Sequence, residues 1–407
     1  MGINDLLFLY KPLFTQEHIS ILKNKICAID IMVWLYKGVY ASINNQKELN
    51  EKNDLYLNYP LKMISLLLSF DIKCICVFDG NILNAKETEI SNRIQFAENN
   101  KKLAEKLEKK EGNEEKYKKV INRTLKVTSR MINSLIEILK KLNQQIIVSP
   151  YEADAEISYL YKEKKIDFAI TEDSDLIPYG VKKLVFKLDQ NGYFEYLDLE
   201  KKYINYPNEI CKFLLTIPRL KLIQFCVMLG CDYLPQIKGF GSKSAFKIFS
   251  VCDSIEAAVK LLKQSGKFKF NDNDDVDYVN KAKLAASVFY YQTIYDIDLK
   301  ILRPLYSNLE YERYIDTVET LIEKSFVQDI LNSGVDIDYF GKSFNNFEDY
   351  CEGNLDIKTF LKDKKTEKIE NMDKYYIKYK QIIDEKKSKN QNEMTTFLNK
   401  KRNQMLF

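Results

Sequence analysis

The sequence predicts an α/β fold, a doubly wound and mainly parallel sheet with a helical insertion, and three observations predict it. Short runs rich in Ile, Val and Phe recur between helical stretches, as buried parallel strands do: Ile26-Cys27-Ala28-Ile29, Ile75-Cys76-Val77-Phe78, Ile146-Ile147-Val148 and Phe168-Ala169-Ile170-Thr171. Each run is followed by acids, namely Asp30, Asp79, Glu152 with Asp154, and Asp173 with Asp175. A long charged helical stretch interrupts the alternation between the second and third runs.

In order along the chain, an N-terminal segment leads to a strand ending at Asp30, helices over about 31–43 and 59–69, and a strand ending at Asp79. Residues 85–141 are dominated by sequence such as Lys101-Lys102-Leu103-Ala104-Glu105-Lys106-Leu107, with Gly112 and Asn113 near the middle. That composition reads as a helical pair projecting from the sheet. Strand and helix alternate again from 145 to about 198. From about 217 the chain turns helical: an apolar stretch, Leu220 to Leu229, precedes Gly230-Cys231-Asp232-Tyr233 and then Gly239-Phe240-Gly241-Ser242-Lys243-Ser244-Ala245. Two glycines before a Ser-capped helix let a backbone approach closely, and the N–H groups of a helix start favour a phosphate. Asn271-Asp272-Asn273-Asp274-Asp275 reads as a surface linker, and beyond about 345 the Lys- and Asn-rich composition predicts a disordered final stretch of some 25 residues.

Parallel strands deliver their carboxyl ends to one crevice, so six acids are expected to meet there. Two carboxylates about 4 Å apart repel by roughly 4 kcal/mol at an effective dielectric near 20, so the cluster needs cations. One acid after one strand is most simply a helix cap; four coincident strand ends favour an all-oxygen metal site, with Asp232 as a seventh candidate ligand. His18 is the only histidine in 407 residues, which excludes a His-based zinc site and a His-dependent triad. Hard oxygen ligands suit Mg²⁺ or Mn²⁺, and Mg²⁺ typically works on phosphates.

Lys and Arg number 62 against 58 Asp and Glu, a net charge of +4 that by itself does not indicate nucleic acid. If the acids converge, however, the remaining surface is correspondingly basic, as a polyanion binder requires. Cysteines such as Cys27, Cys74, Cys76 and Cys226 sit in apolar segments with no Cys-x-x-Cys pair, the pattern of small buried hydrophobes in a reducing compartment. Nothing resembles a signal peptide or a membrane span, and Leu6 stands where myristoylation wants Ser or Thr.

With these motifs in order, the chain resembles the XPG-type structure-specific 5′ nucleases over roughly residues 1–300, and among them the exonuclease 1 group. The resemblance rests on Met1-Gly2-Ile3, Asp30 through Trp34-Leu35-Tyr36-Lys37-Gly38, Val77-Phe78-Asp79-Gly80, Pro150-Tyr151-Glu152-Ala153-Asp154-Ala155, Thr171-Glu172-Asp173-Ser174-Asp175-Leu176 and Gly230-Cys231-Asp232-Tyr233. Trp34-Leu35-x-Lys37-Gly38, Ser174 and Lys187-Leu188-Asp189 favour exonuclease 1 over flap endonuclease 1. Tyr36 is the flap-endonuclease choice where exonuclease 1 commonly has His, so stacking near the DNA junction is kept.

The resemblance implies a PIN-like core with an inserted helical arch and a helix-two-turns-helix DNA-binding element. Its expected regions are an N-terminal nuclease region (1–84), the arch (85–141), an internal nuclease region (142–216), the helix-two-turns-helix region (217–300), a C-terminal helical wrap (301–380) and a disordered tail (381–407). It implies metal ligation by Asp30, Asp79, Glu152, Asp154, Asp173, Asp175 and Asp232, and charge stabilisation by Lys86 and Arg93, whose spacing of two helical turns puts both on one side. It further implies DNA contacts at Gly2, Tyr36, Gly239, Gly241, Ser242 and Lys243, two Mg²⁺ ions for which Mn²⁺ substitutes, and K⁺ at the helix-two-turns-helix element. The activity implied is 5′→3′ exonucleolytic hydrolysis of duplex DNA with 5′-flap cleavage, by a nuclear monomer in repair, recombination and mismatch repair. The DNA partner is a duplex with a 5′ end, nick, gap or flap. Without a long C-terminal extension, sites for mismatch-repair proteins are left unassigned. A flap endonuclease with little exonuclease activity, a catalytically idle DNA-binding scaffold and a small-molecule phosphatase remain as alternatives. Gln391-Asn392-Glu393-Met394-Thr395-Thr396-Phe397-Leu398 resembles a sliding-clamp (PCNA) hook, with Leu398 replacing the second aromatic. On a helical turn Met394 and Phe397 share a face and Gln391 caps the contact; a chance pattern in a Lys- and Asn-rich tail is the competing explanation.

Overall fold

The computed structural model describes residues 2–44, 54–108, 114–267, 274–306, 346–355, 376–385 and 387–388. After α1 (Leu6–Tyr10) come β1 (Thr15–His18), β2 (Ile26–Asp30), α2 (Ile31–Asn44), α3 (Asn58–Ser69) and β3 (Lys73–Phe78). Next are α4 (Glu87–Glu108), α5 (Glu114–Ile121), α6 (Ser129–Lys141), β4 (Gln145–Val148), α7 (Ala153–Lys162), β5 (Phe168–Ile170), α8 (Leu176–Tyr179), β6 (Lys183–Phe186) and β7 (Tyr193–Asp198). The helical part holds α9 (Glu209–Thr216), α10 (Arg219–Leu229), α11 (Ser242–Phe249), α12 (Ile255–Gln264) and α13 (Asp274–Tyr291), the ribbon β8 (Thr293–Asp296) with β9 (Ile301–Pro304), and α14 (Phe347–Cys351).

Seven strands form one sheet in the order β1-β7-β6-β5-β2-β3-β4. β2 pairs in parallel with both β3 and β5, β4 continues parallel beyond β3, and β6 continues parallel beyond β5. The winding therefore reverses between β2 and β5, and the crevice outside the carboxyl ends of a doubly wound sheet lies at such a reversal. β2, β3 and β5 read as apolar runs because both faces are covered: Cys27, Ala28, Ile29, Cys76, Val77, Phe78, Phe168, Ala169 and Ile170 are all buried. The edge strand β1 and its neighbour β7, paired antiparallel, are half-exposed and left no such run in the sequence.

Three elements differ from expectation. The expected insertion runs to residue 141, yet α6 belongs to the body: Met131, Ile132, Leu135, Ile136, Ile138 and Leu139 are buried in the main core. Thr128 starts this helix, its Oγ1 accepting the Met131 N–H at 3.4 Å, a cap that separates it from the charged pair α4–α5. The expected linker at 271–275 overlaps α13, which begins at Asp274. The expected disordered tail from 381 begins inside a helix, α15, over 376–385. Tyr379 and Ile383, one turn apart, are buried, and the Tyr379 hydroxyl donates to the backbone oxygen (3.2 Å) and Oδ1 (2.9 Å) of Asn58. Most of the expected wrap, and the Gln391–Leu398 pattern, lie outside the described residues. No described helix is long and apolar enough to cross a membrane.

Glu156, on the face of α7 turned away from the crevice, is fully buried; Oε2 accepts the Tyr295 N–H at 2.9 Å, and Oε1 has no hydrogen-bond partner among the described residues. Burial, then the neighbouring Asp296, push its carboxyl up to about 8 against the opposing Tyr295 N–H and Arg303; Cys351 lies close on the other side. A carboxyl raised in the folded state stabilises fully below its usual value of 4.5 and loses that contribution as pH rises through about 8. Glu156→Gln is therefore expected to gain stability over the parent by roughly 2 to 3 kcal/mol more at pH 8.5 than at pH 5.5. Denaturant unfolding at the two pH values checks this; an equal difference at both would place the charge outside the balance.

Candidate metal centre

Asp30 closes β2, and its carboxylate accepts the Met32 and Val33 N–H groups at the start of α2. Asp79 follows β3 directly, and its Oδ1 accepts the Ala153 N–H of α7 at 2.9 Å, so it caps a helix that begins after a different strand. Glu152 occupies the N-cap position of α7 without making a side-chain cap bond, and Asp154 sits in the first turn. After β5, Asp173 Oδ1 accepts the Asp175 N–H at 3.1 Å while its own N–H donates to Thr171 Oγ1 at 3.0 Å. Asp175 Oδ1 accepts the Ile3 N–H at 2.9 Å, and that N–H also reaches Ser174 Oγ at 2.8 Å. Gly2 makes this approach possible: its φ is +86°, and an added Cβ would collide with Asp173, Ser174 and Asp175 side-chain oxygens. Capping and clustering are thus one arrangement, in which helix N–H groups hold carboxylates at the strand ends.

The charges feel one another. Burial, then Asp79 and Asp173, push Asp30 well above the usual carboxylate range; burial, then Asp173, Asp30, Asp175 and Glu152, do the same to Asp154. Asp175 is raised by burial, then by Asp173 and Asp232. Asp79 is raised by burial, then partly relieved by the Ala153 N–H and Lys86. Asp173 is also raised, chiefly by burial. Asp232 goes the other way: burial would raise it, but Lys86 and then Arg93 outweigh that and hold it low.

Lys86 is lodged among these acids. Its ammonium pairs with Glu152 Oε1 and with Asp232 Oδ2 at 2.9 Å, the three side chains being only 18, 11 and 15% exposed. Burial would lower this ammonium's pKa, and the two carboxylates outweigh it and hold it well above the usual lysine value. Arg93 pairs with Glu89 and reaches Asp232 Oδ2 at 3.4 Å. The two cations do meet one acid, although not by sharing a helix face: Lys86 ends a 3-10 turn, Asn84–Lys86, ahead of α4. Tyr36 is half exposed beside Asp79 and Arg93, whose charges act on its hydroxyl after burial has raised it.

Among the described residues no three metal-type side chains yet surround a single point. The donor set nevertheless fits hard divalent cations: it is all carboxylate, Asp154 Oδ1 is buried with no hydrogen-bond partner among the described residues, and a cation already sits between Glu152 and Asp232.

The glycine turn after Asp232 is separate from this cluster. Gly239 has a φ of +81°, and open space surrounds the position of a Cβ there and at Gly241. Gly241, not Ser242, is the N-cap of α11, and it makes no side-chain cap bond; Ser242 is the first helical residue, with Lys243 exposed beside it. The expectation of a Ser-capped helix is corrected, and with glycine at the cap the N–H groups of the first turn are left without a side-chain acceptor.

Sequence reasoning assigned no role to Tyr233, Tyr179 or Gln292. The Tyr233 hydroxyl donates to Glu152 Oε2 and lies 3.1 Å from the Tyr179 hydroxyl, which in turn meets the Gln292 side chain. The only signal for Tyr233 was its place after Asp232; nothing local marks Tyr179 or Gln292.

Two family descriptions match the chain, the XPG N-terminal domain over residues 1–100 and the XPG I-region over residues 143–232. The chain is 32% identical to exonuclease 1 of Drosophila melanogaster over 330 residues, covering 80% of this chain and 44% of that protein. It is 30% identical to exodeoxyribonuclease 1 of Schizosaccharomyces pombe over 295 residues, covering 72% of this chain and 50% of that one. It thus spans half or less of the length of these relatives. The catalytic core of Rad2 in complex with DNA substrate has the same fold, with a TM-score of 0.52 at 19% identity over 81% of this chain and 99% of that one. Matched at both ends of the acid crevice, by its start through the head of α4 and by β4 through Asp232, the chain belongs to the XPG family of nucleases.

Proposed function

We propose that this chain is a metal-dependent 5′→3′ exonuclease on double-stranded DNA that also cuts 5′ flaps, acting in the nucleus in DNA repair, recombination and mismatch repair. The observation that carries the reading is the set of acids at four strand ends, in which Asp154 Oδ1 is buried with no hydrogen-bond partner among the described residues and the Lys86 ammonium is paired with Glu152 and Asp232. The identity with exonuclease 1 relatives supports the exonuclease assignment.

Nucleases of this family are metal-dependent, generally on Mg²⁺. Two bound Mg²⁺ ions, or Mn²⁺ in their place, would supply Lewis acidity toward water and toward the leaving 3′ oxygen. Asp30, Asp79, Glu152, Asp154, Asp173, Asp175 and Asp232 would hold them, with Gly2 keeping the 173–175 turn in place. Lys86 and Arg93, released from the acids, present positive charge to the scissile phosphate as negative charge develops on it. Tyr36 offers an exposed ring for a nucleobase at the junction, which helps offset the few kcal/mol of unpairing. The Gly239–Lys243 turn takes the duplex backbone, with K⁺ held by backbone oxygens there. The protein acts as a monomer on duplex ends, nicks, gaps and flaps. Gln391, Met394 and Phe397 would hook a sliding clamp, and no mismatch-repair partner site is assigned.

A Mg²⁺-dependent digest of 5′-recessed duplex beside a 5′-flap substrate tests the reading, since single nucleotides released from the recessed end are expected and their absence overturns it. Tyr36 favours a second reading, a flap endonuclease with little exonuclease activity, which would release only flap-length products. Lys243→Ala is expected to weaken duplex binding and to flatten the dependence of log affinity on log salt by roughly 0.9, one phosphate contact. Binding isotherms at several salt concentrations measure that slope; an unaltered slope would mean this lysine does not meet the backbone.

A further inference from the structure

Buried behind Glu152 is a chain of side chains that ends on one of its oxygens. Gln292, between α13 and β8, and Tyr179, the last residue of α8, are both fully buried. With its amide oriented to satisfy its neighbours, Gln292 accepts the Glu152 backbone N–H at 3.1 Å and donates to the Tyr179 hydroxyl and to Glu152 Oε2, the latter at 3.3 Å. Tyr179 and Tyr233 place their hydroxyls 3.1 Å apart, and Tyr233 donates to Glu152 Oε2. The hydrogens can then run one way, from amide to Tyr179 to Tyr233 to the carboxylate, with each hydroxyl giving and accepting once. Phe289 fixes both rings, with centroids 4.8 Å from Tyr179 and 5.6 Å from Tyr233.

Two consequences follow for the carboxylate. Oε2 is engaged by two protein donors, while Oε1 meets, among the described residues, the Lys86 ammonium alone. The backbone of Glu152 is clamped by the same amide that holds the end of the relay, so the rotamer is fixed at both ends. We infer that Tyr233, Tyr179 and Gln292 are positioning residues that preset Glu152 to offer a single oxygen, Oε1, to a divalent cation once Lys86 withdraws. This rests on Glu152 being a metal ligand. It also makes Gln292, just after α13 and remote in sequence, part of what sets the metal requirement.

The test titrates Mn²⁺ alone into the full chain, following free ion by electron paramagnetic resonance, for the parent, Tyr179→Phe, Tyr233→Phe and Glu152→Gln. Each Tyr→Phe change removes one hydroxyl and keeps the ring, and Tyr233, being only partly buried, tolerates the loss even if the Tyr179 variant folds poorly. Both are expected to weaken Mn²⁺ binding roughly tenfold or more. Their single-turnover cleavage should be slow at low Mg²⁺ and recover most of its rate as Mg²⁺ is raised, a split that a general loss of packing would not produce. If Glu152→Gln leaves Mn²⁺ affinity unchanged, the ligand reading falls and this inference with it. If Glu152→Gln weakens Mn²⁺ binding while the folded Tyr→Phe proteins bind like the parent, the ligand reading stands and the positioning role is overturned.

Discussion

Asp173→Ala is expected to lower the single-turnover cleavage rate by roughly a thousandfold or more, because several kcal/mol of transition-state stabilisation leave with one metal ligand. Asp173 repels four other acids of the crevice, Asp30, Asp79, Asp154 and Asp175. Its removal takes away repulsion as well as a ligand, so the metal-free protein should melt no lower than the parent. That separates loss of chemistry from loss of fold. Duplex binding should survive, since the proposed grip on the duplex is the Gly239–Lys243 turn and not these acids. Cleavage of a 5′-recessed duplex within tenfold of the parent would sink the metal assignment.

Lys86→Ala combined with Arg93→Ala is expected to slow the same step roughly a hundredfold or more, with a much smaller loss of DNA affinity. In the metal-free protein both cations are spent on Asp232, and Lys86 on Glu152 as well. On the proposed reading, divalent ions held by those carboxylates would free the two cations, and the groups that compete for the acids at rest would then be available to a phosphate. Rates and affinities measured separately at saturating Mg²⁺ decide the matter. Equal losses in affinity and in kcat/KM, with an unchanged maximal rate, would reduce the pair to ordinary DNA contacts.

Much of the crevice was readable because fully buried parallel strands announce themselves as continuous apolar runs, and their last residues carry the acids in plain sequence order. The antiparallel strands were not readable, since Thr15–His18 and Tyr193–Asp198 lie half in water and show neither a clean run nor a clean alternation. The charged composition up to residue 121 masked the start of α6, although Thr128 ahead of an amphipathic stretch was a usable cap signal. Lys86 and Arg93 were named from the family resemblance, and the shared helix face that their spacing allowed is not how they meet: a tight turn and a helix converge on Asp232 instead. Tyr179 and Gln292 stand 113 residues apart; no local pattern reports a contact closed only by packing α13 against α8.

The tether between Ile3 and the Ser174–Asp175 turn spans a sequence separation of 171 and 172 residues, and Asn4 reaches Leu229 across 225. Its cost in stability is small, since loop closure adds only about 0.6 kcal/mol for each doubling of length. Its effect is on timing. During synthesis the opening residues emerge long before their partners exist, so β2 and β3 can pair while the start of the chain is still waiting. The contacts that tie the chain's start to the acid crevice therefore cannot close until β5 and α10 have been made.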